Sequence, residues 1–540
     1  MIKAKKCGEW MMVIFLLGLI ILCIRAILII NFQGFPRYCD TDMYSDTLVA
    51  KLMWEQKTLF PQNWVFGNQF YVIATPVLCA LFYGVTGNLN FSMGLAFTVM
   101  GLLILVSFAW MLSPFVKKKR HLLVGTAAFL CCVLWSNIQY NTFGQLFFIM
   151  CSYYSCYLIT AFITWGIYAR LLLDKDCSWR RKKPFIIACG VCAALAFATG
   201  IQSIRQTVIM IVPLCILEFG RWIFRRRTAG QVYDRKPLFL TAAVTGFNLA
   251  GLLAIRMAGV QHYEIFGDMS LVKSLRELKE NLTEVYSAIC SVTGFFLQDN
   301  IWMTAIDLLM IFLFAAAVVQ AIKNRKKREG LALFILLFAV GLLVVICGSV
   351  FLNVELRRAY LCFWYPMVCA AVVYILENSR GLDYALYAVL FCLLAGRSYF
   401  LSYVPMLETI EYVQDEYAER LEIVDWMEQN GYDIVYGRWN SAEGIAAASN
   451  GTIQCGCWEF NTPEGILEIT PWLMKTDLYS EECNAHAVYL VHNDMAEEFI
   501  KKAGQMGAEV QLVWQMDTNY YSLYTSTIQL MRPRQAENGG

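Results

Sequence analysis

The chain has 540 residues, 58% of them hydrophobic and 16% charged, and a formal net charge of +2. Soluble domains carry about a quarter charged residues, so an ordinary soluble enzyme is excluded. A near-neutral chain also offers no broad basic surface for nucleic acid. What remains is a polytopic α-helical membrane protein.

A helix needs roughly 20 apolar residues to cross a bilayer. Runs of that kind fall near 11–30, 91–115, 121–137, 145–172, 184–200, 202–223, 237–258, 300–322, 329–352, 358–377 and 383–402, about eleven spans by that measure. The first run is too long for a signal-peptide core, and no small-x-small cleavage site follows it closely, so it reads as a retained anchor. Lys3, Lys5 and Lys6 precede it, and further basic clusters at 117–120, 180–183, 225–227 and 323–328 follow alternate later spans. Short cytoplasmic loops carry excess Lys and Arg, and all five clusters share one side if the N-terminus is cytoplasmic. Residues 403–540 then lie outside, and the expected home is a plasma membrane. Residues 66–87 are apolar too, but spanning there would invert every later loop. With Gly67, Pro76, Gly84 and Gly87 they read as a juxtamembrane or re-entrant segment.

This divides the chain into a membrane domain over 1–407, with its first outer loop at 31–90, and an outer domain over 408–531. The tail alternates helix and strand patterns: a helix over 411–430 stopped by Gly431, a strand at 432–436, and strands at 487–491, 509–514 and 520–524 with a helix at 495–504 between them. The pattern predicts a small extracytoplasmic α/β domain, followed by a disordered end over 532–540. Cys455 or Cys457 is a candidate to bridge Cys483, and Asn281 and Asn450 open glycosylation sequons.

Charged residues in the spans gather toward the predicted outer leaflet. Arg205 stands near the outer end of the sixth span, flanked by Gln202, Ser203 and Gln206. Arg256 ends the seventh, Asp307 lies about two turns into the eighth, and Arg357 and Arg358 precede the tenth. Arginine's planar fork suits phosphate oxygens, which makes Arg205, Arg256, Arg357 and Arg358 candidate ligands for a lipid phosphate; generic head-group binding is the plainer alternative. His262, in the long outer loop after the seventh span, is a candidate for binding a sugar or metal, against an incidental role.

The chemistry concentrates after the first span, in Tyr38-Cys39-Asp40-Thr41-Asp42-Met43-Tyr44-Ser45-Asp46, followed by a helical stretch and Phe60-Pro61-Gln62-Asn63-Trp64. A carboxylate within hydrogen-bond reach of an acceptor hydroxyl can act as general base. A second can position groups or bind a hard divalent cation. Solvating the loop or capping the helix is the structural alternative, most of all for Asp42.

The loop resembles that of the GT-C superfamily of membrane glycosyltransferases, in particular the aminoarabinose and O-mannosyl transferases, whose motif runs roughly Asp-Glu-x-x-Tyr-Ala-Glu. Asp40 falls on the motif's Asp, Tyr44 on its Tyr and Asp46 on its final Glu, while Thr41 replaces the first Glu and Asp42 is an additional carboxylate. The resemblance implies transfer of a sugar from a polyprenyl-phosphate donor to a cell-envelope glycan, lipid or protein acceptor at the outer membrane surface. It implies Asp40 or Asp42 as base, with Asp42 as helper or both as metal ligands, Tyr44 and Asp46 at the substrate, and Arg205 on the leaving phosphate. One alternative is a transporter or flippase of lipid-linked glycans, which polar midplanes and repeated halves would favour. Another is a non-catalytic envelope protein on the same scaffold.

Overall fold

A computed structural model describes residues 2–37, 41–132, 147–149, 154–173, 181–226, 235–260, 271–293, 301–323, 330–352, 357–412, 414–459, 467–469, 472–515 and 520–532. Its contacts group the chain into two units, one formed by 1–28, 97–258 and 266–407, the other by 29–96, 259–265 and 408–540. The first outer loop thus folds with the C-terminal segment.

The first unit is helical. Each predicted span coincides at least in part with a helix, among them Lys119–Cys132, Ser155–Leu173, Lys182–Gln202, Arg235–Ala258, Ile301–Lys323, Gly330–Phe351 and Arg357–Asn378. Among the described residues, seven helices are long and apolar enough to cross a membrane. Lipid removes the hydrophobic drive between helices, so close packing at small residues has to hold them together. The helices Lys182–Gln202 and Arg235–Ala258 illustrate this. A Cβ on Gly200 would stand 2.3 Å from the Asn248 carbonyl oxygen, and one on Gly251 2.3 Å from that of Phe197. Asn248 Nδ2 donates to the Ala196 carbonyl at 3.1 Å, replacing a contact that lipid cannot supply. Buried charge is paired: Glu218 accepts from Tyr168 at 2.5 Å and from Arg221, while Arg170 donates to the Trp110 carbonyl at 2.6 Å and stacks on its ring.

The second unit contains a seven-stranded sheet. Its strands are β2 (Ile434–Arg438), β3 (Gln454–Glu459), β4 (Leu467–Ile469), β6 (Ala487–His492), β7 (Val510–Gln515), β8 (Tyr521–Ser526) and β9 (Met531–Arg532), in the order β7-β8-β6-β2-β3-β4-β9. The central strands β6, β2 and β3 are parallel, while β8 and β7 continue one side antiparallel. The parallel strands β2 and β6 are buried on both faces, in keeping with their near-continuous apolar runs. Ile434, Tyr436, Ala487, Tyr489 and Val491 point to a core closed by Phe499 and Ala503 of the helix Ala496–Gln505. Val435, Val488 and Leu490 alternate to the opposite face, against Ile423 and Met427 of the helix Gln414–Asn430 and Ala442 and Ile445 of the helix Trp439–Ala448. Gly431, at φ 77°, ends the first of these helices in the left-handed conformation that glycine tolerates.

Most of the predicted tail elements recur within two residues of their expected bounds. The strand β3 and the helix before it were not anticipated. Cys455, Cys457 and Cys483 are thiols rather than a bridged pair, and Cys483 Sγ lies 3.6 Å from the Asp477 carbonyl. The 66–87 segment becomes irregular chain and then a short apolar helix, Thr75–Thr86, with Pro76 in its first turn and Gly87 closing it at φ 66°.

Candidate active site

The acidic segment forms the helix Thr41–Gln56, with Asp42 in its first turn, where a negative charge complements the helix dipole. Good helix formers carry it on through Leu48, Ala50, Lys51, Leu52 and Met53, and Lys57, at φ 53°, terminates it. Its N-terminal half is enclosed on every side: Met43, Tyr44, Ser45, Asp46 and Thr47 are all buried. Asp42 is half-buried, one helical turn from Asp46 and on the same face.

Three parts of the second unit close around this helix. From the loop itself, the Tyr71 hydroxyl donates to Asp46 Oδ1. A fully buried carboxylate is costly unless hydrogen-bonded. Burial, followed by the charge and hydrogen bond of Asp46 and the charge of Asp42, pushes the Tyr71 phenol well up, so it stays a donor. From the helix Gln414–Asn430, Arg420 Nη1 donates to the Tyr44 hydroxyl at 2.8 Å. From the helix Trp439–Ala448, Glu443 Oε1 accepts from Ser45 Oγ and, at 3.0 Å, from the Trp439 indole.

Glu443 is 1% exposed, and its Oε2 has no hydrogen-bond partner among the described residues. Burial, reinforced by Cys455 and by the charge of Asp42, pushes its carboxyl well above the usual range, against the lowering effect of its two donors. Ser45 therefore links a residue of elevated proton affinity to the acidic helix, one position from Asp46.

The loop and the tail are also tied together at a distance from the carboxylates. Lys51 Nζ donates to the Gly451 carbonyl at 2.6 Å. Asn450 accepts from the Leu89 backbone at 2.7 Å and donates to the Gly87 carbonyl at 2.9 Å. The short strand β1 (Trp64–Val65) pairs antiparallel with β5 (Met474–Lys475), Trp64 opposite Lys475.

The other predicted site residues divide as follows. Asp42, Tyr44 and Asp46 come together as described. Asp40 and His262 lie outside the described residues, as do the side chains of Asp307, Arg357 and Arg358; the two arginines open the helix Arg357–Asn378. Arg205 belongs to the first unit, where the chain breaks between the helix ending at Gln202 and a wider turn beginning at Thr207. Its guanidinium lies 5.2 Å from the Tyr154 ring centre. Arg256 is exposed in the last turn of its helix. Among the described residues, no group of three His, Cys, Asp or Glu side chains is close enough to hold a metal ion.

Tyr71, Arg420 and Glu443 escaped the sequence reading. Nothing in the local pattern around Glu443 marks it, since Ser45 is 398 residues away.

Solved structures similar to this chain include ArnT from Cupriavidus metallidurans in the apo state, with a TM-score of 0.52 at 9% identity, covering 96% of this chain and 99% of that one. The same protein bound to undecaprenyl phosphate gives 0.51 at 11% identity with the same coverage, 96% and 99%. The Archaeoglobus fulgidus oligosaccharyltransferase, tethered with an acceptor peptide containing the NVT sequon, gives 0.41 at 10% identity over 95% of this chain and 74% of that one. No protein-family model matches the sequence, and no curated protein matches it. At these identities the likeness to ArnT concerns the fold alone.

Proposed function

We propose that the protein is a membrane glycosyltransferase that moves a sugar from a polyprenyl-phosphate donor to a cell-envelope acceptor on the extracytoplasmic face. The observation that carries this is the acidic helix Thr41–Gln56, enclosed by the C-terminal domain on a chain with the fold of ArnT. That ArnT was solved with undecaprenyl phosphate supports a donor of the same class. The basic loops support an outward-facing site.

The acceptor hydroxyl oxygen attacks the anomeric carbon as the bond from that carbon to the phosphate oxygen breaks. The bonding pair leaves with the lipid phosphate, and the acceptor proton passes to Asp40 or Asp42. A general base contributes typically 10²–10⁴-fold. The half-buried setting of Asp42 leaves it able to meet substrate. Tyr44 and Asp46 shape the acceptor side, and Arg205, with Arg256, Arg357, Arg358 and His262 as further candidates, binds the phosphate or sugar as negative charge develops on the leaving oxygen.

The test is sugar transfer by purified protein in detergent, wild type beside Asp40→Ala and Asp42→Ala, with folding checked in each. Transfer that falls at least about 100-fold in one variant names the base. Transfer unchanged in both overturns the assignment of the base, and no turnover of any polyprenyl-phosphate sugar while lipid-linked sugar still binds overturns the proposal in favour of a carrier or scaffold. Asp40 and Asp42 are the proposed ligands of a divalent cation, and activity that survives chelation removes that role.

A further inference from the structure

The C-terminal domain has a cleft of its own, about 590 Å³ in volume, lined by Arg438, Trp439, Trp458, His492, Asp494 and Tyr521 among others. Its position follows from the sheet. The parallel neighbours β2 and β6 end at Arg438 and His492. From β2 the chain runs through the helix Trp439–Ala448 to β3 on one side, and from β6 through the helix Ala496–Gln505 to β7 at the opposite edge. The two helices pack on opposite faces of the sheet. The chain therefore departs in opposite directions at the carboxyl ends of adjacent parallel strands, which opens a crevice where α/β sheets characteristically bind ligands. The cleft has the size of a small-molecule site.

Its lining specifies the chemistry. Trp439 and Tyr521, both half-buried, offer aromatic faces to the apolar side of a ring, while Trp458 backs the cleft from the core. Arg438 is exposed, and its one hydrogen bond among the described residues is a weak one to Met495 Sδ at 3.5 Å. The Trp439–Ala448 helix begins there without a side-chain cap at Arg438, so its N-terminal dipole adds to the positive field. The one carboxylate of the lining, Asp494, is 88% exposed and so screened by water, and its side chain lies 3.4 Å from His492 Nδ1.

We infer that this cleft binds an anionic pyranose, a sugar ring carrying a carboxylate or phosphate, with the ring on the aromatic side chains and the anion on Arg438. The site is connected to the acidic helix: Trp439 lines the cleft, donates to Glu443, and Glu443 accepts from Ser45. Its role as the docking point for an anionic glycan acceptor rests on the transferase reading; the binding itself does not.

The experiment is saturation-transfer NMR and calorimetry on the full chain in detergent, with glucuronate, glucose 6-phosphate, glucose and inorganic phosphate as probes. Glucuronate and glucose 6-phosphate should bind saturably, with glucose and phosphate each about tenfold weaker, the value of one charged hydrogen-bonding group. Arg438→Gln should remove that tenfold advantage and leave glucose binding unchanged, and Arg438→Lys, which keeps the charge, should retain most of it. Equal binding by wild type and Arg438→Gln, phosphate alone binding as tightly as the sugars, or no saturable binding by any sugar overturns the inference. Transfer measured on the same preparations keeps the two readings apart: no sugar binding by wild type with transfer intact sinks the cleft alone, and binding as expected without transfer sinks the enzyme alone.

Discussion

Replacing Glu443 with glutamine should stabilise the protein at neutral pH and leave it nearly unchanged in acid. Glu443 is buried, and its folded-state carboxyl holds its proton more tightly than the roughly 4.3 of an unfolded glutamate, chiefly because burial penalises the anion. Over the window between those two values the folded state binds more protons than the unfolded state. Stability therefore falls as pH rises, by up to about 1.4 kcal/mol per pH unit, and levels off once the folded carboxyl has ionised. Glutamine keeps an acceptor oxygen for Ser45 and Trp439 and places an N–H where the protonated acid carries its O–H at Oε2. The glutamine variant should thus track wild type below about pH 4 and exceed it increasingly from there to pH 7. Each kcal/mol is worth about 2–4 °C for a folding unit of 150–250 residues. The assay is thermal unfolding in detergent from pH 4 to 8 at one scan rate. Asp42→Asn, which removes a charge that raises the Glu443 carboxyl, should flatten the wild-type slope in the same direction. Parallel curves for wild type and Glu443→Gln, or a glutamine variant less stable at pH 7, would refute the argument.

Tyr71→Phe removes a donor from the buried carboxylate of Asp46, a charge-assisted bond worth about 1.5–3 kcal/mol; the midpoint of thermal unfolding should drop, and an unchanged midpoint contradicts the assignment. Gly251→Leu drives a side chain into the Phe197 carbonyl, so the helices Arg235–Ala258 and Lys182–Gln202 must separate. A cysteine pair engineered across them should cross-link more slowly than in wild type. In a host that glycosylates, Asn450 should stay unmodified because both ends of its amide are engaged by Gly87 and Leu89, so Asn450→Gln should cause no glycan mass loss.

The helical architecture was legible because lipid imposes long apolar runs that few other pressures produce. The tail strands were legible from period-two alternation, and Gly431 from its place after a helix. The helix Trp439–Ala448 and β3 were missed for physical reasons. The helix is ten residues, four of them alanine, too short for a strong periodic pattern. The sequence of β3, Gln-Cys-Gly-Cys-Trp-Glu, drew attention as a cysteine pair when Gly456 and Cys457 are simply what fits a buried parallel strand. The acidic helix was not legible as an enclosed element, since its hydrophobic pattern is weak; polar Ser45, Asp46 and Thr47 are as buried as its methionines.

That enclosure bears on how the site is built. A helix that buries a carboxylate, a serine and a threonine in consecutive positions cannot be held by apolar packing, because each group costs free energy until it finds a partner. Asp46 finds Tyr71 within the loop, and Thr47 bonds back to the Met43 carbonyl at 2.8 Å. The partners of Tyr44 and Ser45 come from Arg420 and Glu443, nearly four hundred residues downstream. The C-terminal segment thus supplies hydrogen-bond partners to the acidic loop, and the two belong to one compact unit though the membrane spans separate them in sequence. The same dependence explains why a short motif after the first span carries so little of the site by itself: the residues that fix its geometry are distributed over a domain whose own sequence shows no sign of the motif.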